Sequence, residues 1–292
     1  MKKIIMLGLT IALALALTAC GETNNNSSSQ QQSGDSGSSS AAATEFESFT
    51  AIDNEFCTVT FTGIDPDNFW GYTFNVELEN KTADQNLTFS VNDAYINGVK
   101  CDPFFISDVA AGKKATAEMS FSTSRLDESG VGDYTDFEIF FNVYNSDSWE
   151  DVVLETFHVY PYGADKAATF SRSAGANDIV LIDNSDVTAI ITDFYDDDFW
   201  GYTGNLYLVN KTDKNLMFSI DDVSVNGYMA DPYFACSVRA GKCALTDMSW
   251  SDDTFEEAGI DTVEEIEFTL NVYDNDDWSA DNLVSQLCTV NP

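Results

Sequence analysis

Gly71-Tyr72-Thr73-Phe74-Asn75-Val76-Glu77-Leu78-Glu79-Asn80-Lys81-Thr82 decides the fold class. Apolar side chains take every second position from Tyr72 to Leu78, the period of a strand with one face in a core and one in water. The stretch returns as Gly201-Tyr202-Thr203-Gly204-Asn205-Leu206-Tyr207-Leu208-Val209-Asn210-Lys211-Thr212. Working outward, Phe69-Trp70 returns as Phe199-Trp200 and Ile52-Asp53-Asn54 as Ile182-Asp183-Asn184. Asn97-Gly98 returns as Asn226-Gly227, Asp102-Pro103 as Asp231-Pro232, Asn142-Val143-Tyr144 as Asn271-Val272-Tyr273, and Trp149 as Trp278. A repeat of this length is a whole domain duplicated, not a solenoid unit.

Further stripes of period two run through Ala115, Ala117, Met119 and Phe121, through Phe137, Ile139, Phe141 and Val143, and through Ile266, Phe268, Leu270 and Val272. Asn-Gly accepts the positive φ angles of a type I′ turn, so Asn97-Gly98 and Asn226-Gly227 each predict a hairpin. Ala111-Gly112 and Ala240-Gly241 predict a second turn, and residues 124–130 and 253–259 a short helical turn. This predicts about seven strands in roughly 110 residues per copy, the size of an immunoglobulin-like sandwich. The expected architecture is all-β: two tandem immunoglobulin-like β-sandwich domains, residues 44–162 and 179–292, joined by an aperiodic linker at 163–178.

The N-terminus carries Lys2 and Lys3 and then an apolar run from Ile4 to Leu17. A bilayer span needs roughly 20 apolar residues, so this run reads as a signal peptide over residues 1–19. Leu17-Thr18-Ala19-Cys20-Gly21 resembles the lipobox of bacterial lipoproteins. That resemblance implies cleavage before Cys20 and lipid on its sulfur and new amino terminus, and several acyl chains on one residue anchor stably. Residues 20–43 are rich in Ser, Asn, Gln and Gly, a composition that buries no core. A disordered tether of that length reaches roughly 25 Å.

The lipobox, the polar tether, the Gly71–Thr82 strand, and the succession Val-Asn-Gly, Ala-Gly-Lys and an aromatic-rich strand together resemble the uncharacterised immunoglobulin-like lipoproteins of Clostridia-type Firmicutes. The resemblance covers most of residues 50–290 and its motifs are structural. It implies a fold and an extracytoplasmic, membrane-anchored location, and it supplies no catalytic residues.

The chain has 13 Lys and Arg against 49 Asp and Glu, a net charge of -36, which becomes -38 when residues 1–19 and their two lysines are removed. Such a surface repels phosphate backbones, so nucleic acid is not an expected partner. Beyond Cys20, five cysteines remain, an odd number that gives no complete disulfide framework and no zinc spacing. Cys236 and Cys243 flank the Arg239-Ala240-Gly241-Lys242 turn and could face each other across a hairpin.

His158 is the single histidine and has no counterpart in the second copy, so it is expected as a packed or surface residue, not a catalytic base. Two acidic-aromatic loops recur. Asp65-Pro66-Asp67-Asn68-Phe69-Trp70 matches Asp196-Asp197-Asp198-Phe199-Trp200, and Asn145-Ser146-Asp147-Ser148-Trp149 matches Asp274-Asn275-Asp276-Asp277-Trp278. Trp70, Trp149, Trp200 and Trp278 are the candidate ligand contacts, as stacking platforms for a glycan or peptide. Asp65, Asp67, Asp147, Asp196, Asp198 and Asp276 are candidate ligands for calcium, a hard cation that takes six to eight oxygens. The competing reading has the tryptophans folded back to cap the core, with the acids merely solvated. An immunoglobulin-like topology leads to the expectation that both loops lie at one end of the sandwich.

The sequence therefore points to a non-enzymatic binding or adhesion module, membrane-attached through Cys20, with no cofactor beyond calcium. The alternative is a structural envelope spacer without a small ligand, and a metal-dependent hydrolase is the remotest class.

Overall fold

The computed structural model describes residues 46–277 and 279–292. The expected signal peptide, Cys20, the tether of residues 20–43 and Trp278 lie outside the described residues. Among the described residues no helix is long and apolar enough to cross a membrane.

The regular structure of the described chain is nearly all strand. The first copy contains β1 (Phe49–Asp53), β2 (Cys57–Asp65), β3 (Tyr72–Asn80), β4 (Leu87–Ile96), β5 (Val99–Lys100), β6 (Ile106–Val109), β7 (Lys114–Phe121), α1 (Ser124–Glu128), β8 (Phe137–Asn145) and β9 (Asp151–Val159). The second repeats the order as β10 (Ile179–Asp183), β11 (Val187–Asp197), β12 (Gly201–Asn210), β13 (Leu216–Val225), β14 (Tyr228–Met229), β15 (Ala235–Val238), β16 (Cys243–Trp250), α2 (Asp252–Ala258), β17 (Ile266–Asp274) and β18 (Val284–Val290). Each copy thus has nine strands where about seven were expected, among them an outer strand, β1 or β10, and two short strands that flank β4 or β13.

In the first copy one sheet runs β1-β2-β3-β7, and the other places β5 and β6 beside β4, then β8 and β9. The second copy repeats this with β10-β11-β12-β16 facing β14 and β15 beside β13, β17 and β18. The alternating stripes fill the space between the sheets. Phe74, Val76 and Leu78 of β3 meet Phe137, Ile139 and Phe141 of β8 in one core, and Leu206 and Leu208 meet Phe268 and Leu270 in a second. Both Asn-Gly turns have positive φ at both residues, as their sequence predicts.

The sequence does not announce that the two sandwiches share a sheet. β16 pairs in parallel with β5 at Cys243 and Val99, and the Cys243 amide donates to the Gly98 carbonyl at 3.0 Å. This makes one nine-stranded sheet running through both copies. Around the seam, the turn at Arg239–Lys242 enters the first copy. Arg239 Nε donates to Asp93 (2.7 Å), its amide donates to the Tyr95 hydroxyl (2.9 Å), and its guanidinium lies 3.7 Å over the Phe140 ring. Lys242 pairs with Glu138, and Arg125 of α1 pairs with Asp247 of β16. A bulge between Val91 and Asp93 turns the Asp93 carboxylate into this seam, where it is almost fully buried.

The segment at 163–178 is tied down rather than free. The Phe170 amide donates to the Asn97 carbonyl, its ring packs on the first core, and Arg172 grips Asp178 through two bonds of 2.6 Å.

The suggested pairing of Cys236 with Cys243 does not occur; all five described cysteines are free thiols. The turn between them joins strands of opposite sheets, so it is not a hairpin. Cys236 faces the second core, while Cys243 packs on the first.

Candidate functional site

Trp70 and Trp200 stand on the β2–β3 and β11–β12 connections. In the first loop Asn68 Oδ1 accepts the Trp70 amide at 3.0 Å, and its Nδ2 donates to Asp65. In the second, Asp197 Oδ1 accepts the amides of both Phe199 and Trp200 at 2.8 Å. Those two donors hold the Asp197 carboxyl below the usual carboxylate range. Different holding residues give the same result. Phe69 meets Trp70 edge to face at 5.0 Å, and Phe199 meets Trp200 at 4.9 Å.

The glycine after each tryptophan is required. Gly71 has φ 101, and a Cβ there would lie 2.0 Å from the Phe121 carbonyl oxygen. Gly201 has φ 76, and a Cβ would lie 2.3 Å from the Trp250 carbonyl oxygen. The loop is thereby pressed onto the end of β7 or β16. Beneath it, Thr73 Oγ1 donates to the Gly71 carbonyl and contacts Ser120 Oγ at 2.8 Å, and Thr203 does the same with Gly201 and Ser249.

A third aromatic joins each pair. Phe104 donates its amide to the Ser120 carbonyl at 2.7 Å, and Tyr233 to Ser249 at 2.8 Å, so each lies along the outer edge of the same strand. Phe69, Trp70 and Phe104 line one groove of about 990 Å³ together with Asp67, Asp102 and Glu118. The six rings of the two triads are between 53 and 90 % exposed. Sequence reading missed Phe104 and Tyr233, although the signal was present: an aromatic follows the repeated Asp-Pro in both copies.

Trp149 lies elsewhere. It is 74 % exposed, has φ 63, and stacks on Tyr144 at 5.5 Å. Its turn is bonded to itself through Asn145, which accepts the amides of Asp147 and Ser148. The Ser146 amide reaches the Asn86 carbonyl, so this loop sits beside the β3–β4 connection. Trp70 precedes the first residue of β3 and Trp149 lies beside its last, which separates them by the length of a nine-residue strand, roughly 27 Å. The expectation that both acidic-aromatic loops share one end is therefore wrong. The two sheets are connected so that β3 and β8 carry their exits, not one entry and one exit, to the same end.

The rings of Trp70, Trp149 and Trp200 project into water and do not cap the cores. The proposed calcium ligands do not converge: among the described residues no group of three or more His, Cys, Asp or Glu side chains is placed to hold a metal ion. Asp65 accepts from Asn68 and Asp276 from Asn215 at 2.7 Å, while Asp198 belongs to the exposed tip of the Trp200 loop. His158 is bonded to Asp136 at 2.6 Å and stacks on Tyr160 at 5.4 Å.

Asn80-Lys81-Thr82 and its repeat are turn-builders. Asn80 and Asn210 are buried, and each amide nitrogen donates twice, Asn80 to the carbonyls of Gln85 and Val109 at 2.8 Å.

No protein-family model and no curated protein matches this chain. Among solved structures, it is similar to a protein of unknown function from Porphyromonas gingivalis W83, at 11 % identity over 77 % of this chain and 90 % of that one, with a TM-score of 0.21. It is also similar to the exo-chitosanase CsxA of Amycolatopsis orientalis, at 14 % identity over 79 % of this chain and 26 % of that one, with a TM-score of 0.20. At such TM-scores neither likeness carries a functional argument.

Proposed function

We propose that this chain is a non-enzymatic binding module, held on the extracytoplasmic face by lipid on Cys20, that engages a glycan through the two aromatic triads. One observation carries the reading: three large rings stand in water in the same arrangement twice, Phe69-Trp70-Phe104 and Phe199-Trp200-Tyr233. Exposed apolar clusters of this kind mark interaction surfaces. Flat ring faces suit the C–H faces of sugars, and Asp67, Asp102 and Glu118 supply acceptors for sugar hydroxyls. The rigid joint between the copies also favours the spacer role, which is compatible with binding and does not by itself account for the rings.

The test is a panel of soluble glycans and of peptides screened by thermal shift against the full chain, repeated with Trp70→Ala and Trp200→Ala. Glycan binding weakened in each variant and lost when the two substitutions are combined supports the reading. A flat response to every glycan, or binding indifferent to both substitutions, refutes it; stabilisation by peptides alone would reassign the ligand.

A further inference from the structure

The Trp70 groove does not end at the first copy. Asp102, Ser122 and Ser124 line it and also line a second cleft of about 990 Å³ between the copies. That cleft runs past Arg125 of α1 to Tyr195, Asn205 and Thr246 of the second copy. It reaches Asp197, the residue whose carboxylate holds the Phe199 and Trp200 amides. The Trp70 platform, the inter-copy cleft and the foot of the Trp200 loop are thus contiguous.

Resting on the glycan reading above, we infer that the ligand is a linear oligosaccharide that lies along this path and touches both platforms at once. The lining favours a sugar chain over an extended peptide. Hydroxyls, an amide, carboxylates and the two guanidinium groups of Arg125 and Arg172 outnumber the three leucines in the lining, with one partly exposed phenol, Tyr195, along the way. A peptide binding by strand addition needs an unpaired sheet edge. Here an added strand would be stopped on β7 at Ser120 by Phe104, and on β16 at Ser249 by Tyr233 and at Cys243 by β5. The joint between the copies is built of strand pairing and ion pairs, so the two platforms are held at a fixed separation and a bridging ligand meets a preformed site. The acidic surface selects neutral or amino-bearing sugars over uronic acids.

The full chain is titrated calorimetrically with size ladders, disaccharide to octasaccharide, of β-linked glucose, N-acetylglucosamine and glucosamine. For the ladder that binds, the disaccharide is expected at two per chain and the octasaccharide at one per chain. The octasaccharide should bind about tenfold to a hundredfold more tightly, the gain expected when two weak sites are joined. Either Trp70→Ala or Trp200→Ala should abolish that gain, with circular dichroism reporting the fold. Octasaccharide binding at two per chain with the disaccharide's affinity overturns the bridging and leaves the platforms standing. Binding in no ladder overturns both.

Discussion

Replacing Trp70 by Ala separates a surface platform from a core cap, because the structure contains the contrasting case. Trp70 is 68 % exposed, so about a third of its surface is covered. On a side chain of roughly 250 Å², that is roughly 80 Å², or about 2 kcal/mol as an upper bound. Much of the cover comes from Phe69, its chain neighbour, which stays close in the unfolded chain. The expected loss is therefore about 1 kcal/mol. Trp250 is fully buried and its indole N–H donates to the Ala230 carbonyl at 2.8 Å. Trp250→Ala removes the whole ring and orphans that carbonyl, costing about 3–5 kcal/mol for the cavity and about 1–3 kcal/mol more for the lost bond. Urea unfolding of the two variants, followed by far-UV circular dichroism, checks the difference. If Trp70→Ala lowers stability as much as Trp250→Ala does, the ring serves the core and the platform argument fails.

Asn80→Ala should destabilise by about 2–4 kcal/mol, because the carbonyls of Gln85 and Val109 and the Thr82 amide lose their partner together; chemical denaturation measures it. Arg239→Ala leaves Asp93 in the seam with one cation, Lys100, in place of two, and should cost about 2–4 kcal/mol and split a single unfolding transition into two, seen by calorimetry. A thiol reagent at pH 8 should label Cys57, Cys236, Cys243 and Cys288, the buried thiols, only once the protein unfolds. Burial pushes Cys57, Cys236 and Cys243 up to about 11 and Cys101 to about 12. A thiol pKa raised by folding contributes stability that is intact below the unfolded value near 9 and lost as pH climbs from there toward the folded value. Urea midpoints should accordingly fall above pH 9, and Cys57→Ser should lessen the fall.

Alternation was enough to read the strands and their faces: Tyr72, Phe74, Val76 and Leu78 all point inward, as do Ile266, Phe268, Leu270 and Val272. Asn97-Gly98 and Asn226-Gly227 gave hairpins because only their φ angles close a tight turn of that hand. The β1 and β10 edge strands were less legible, since β1 has a single fully buried residue, Ile52, and so no stripe. The end at which each loop sits was misread because it depends on how the chain crosses between sheets, which no local pattern carries. The tryptophans were found and the third ring of each triad was not. Phe104 lies outside any alternating run, held by one strand-edge bridge whose partner is sixteen residues away in sequence.

The shared sheet has its own trace in the sequence, in the places where the copies disagree. Arg239 of the second copy stands where the first has Ala110. Tyr95 and Phe140, which receive Arg239, stand where the second copy has Ser224 and Thr269. Val99 and Lys100 of β5 are covered by the neighbouring copy, while their counterparts Tyr228 and Met229 of β14 are exposed. The plug is therefore present only on the second copy and its socket only on the first. A guanidinium needs both a carboxylate and a ring face to leave water at small cost, and Ser224 and Thr269 offer no ring. The same joint cannot be made again at the far side of the second copy, so stacking by this geometry stops at two. What the copies share builds the sandwiches and the platforms; what they do not share sets the spacing between the platforms, and with it the length of chain the cleft can hold.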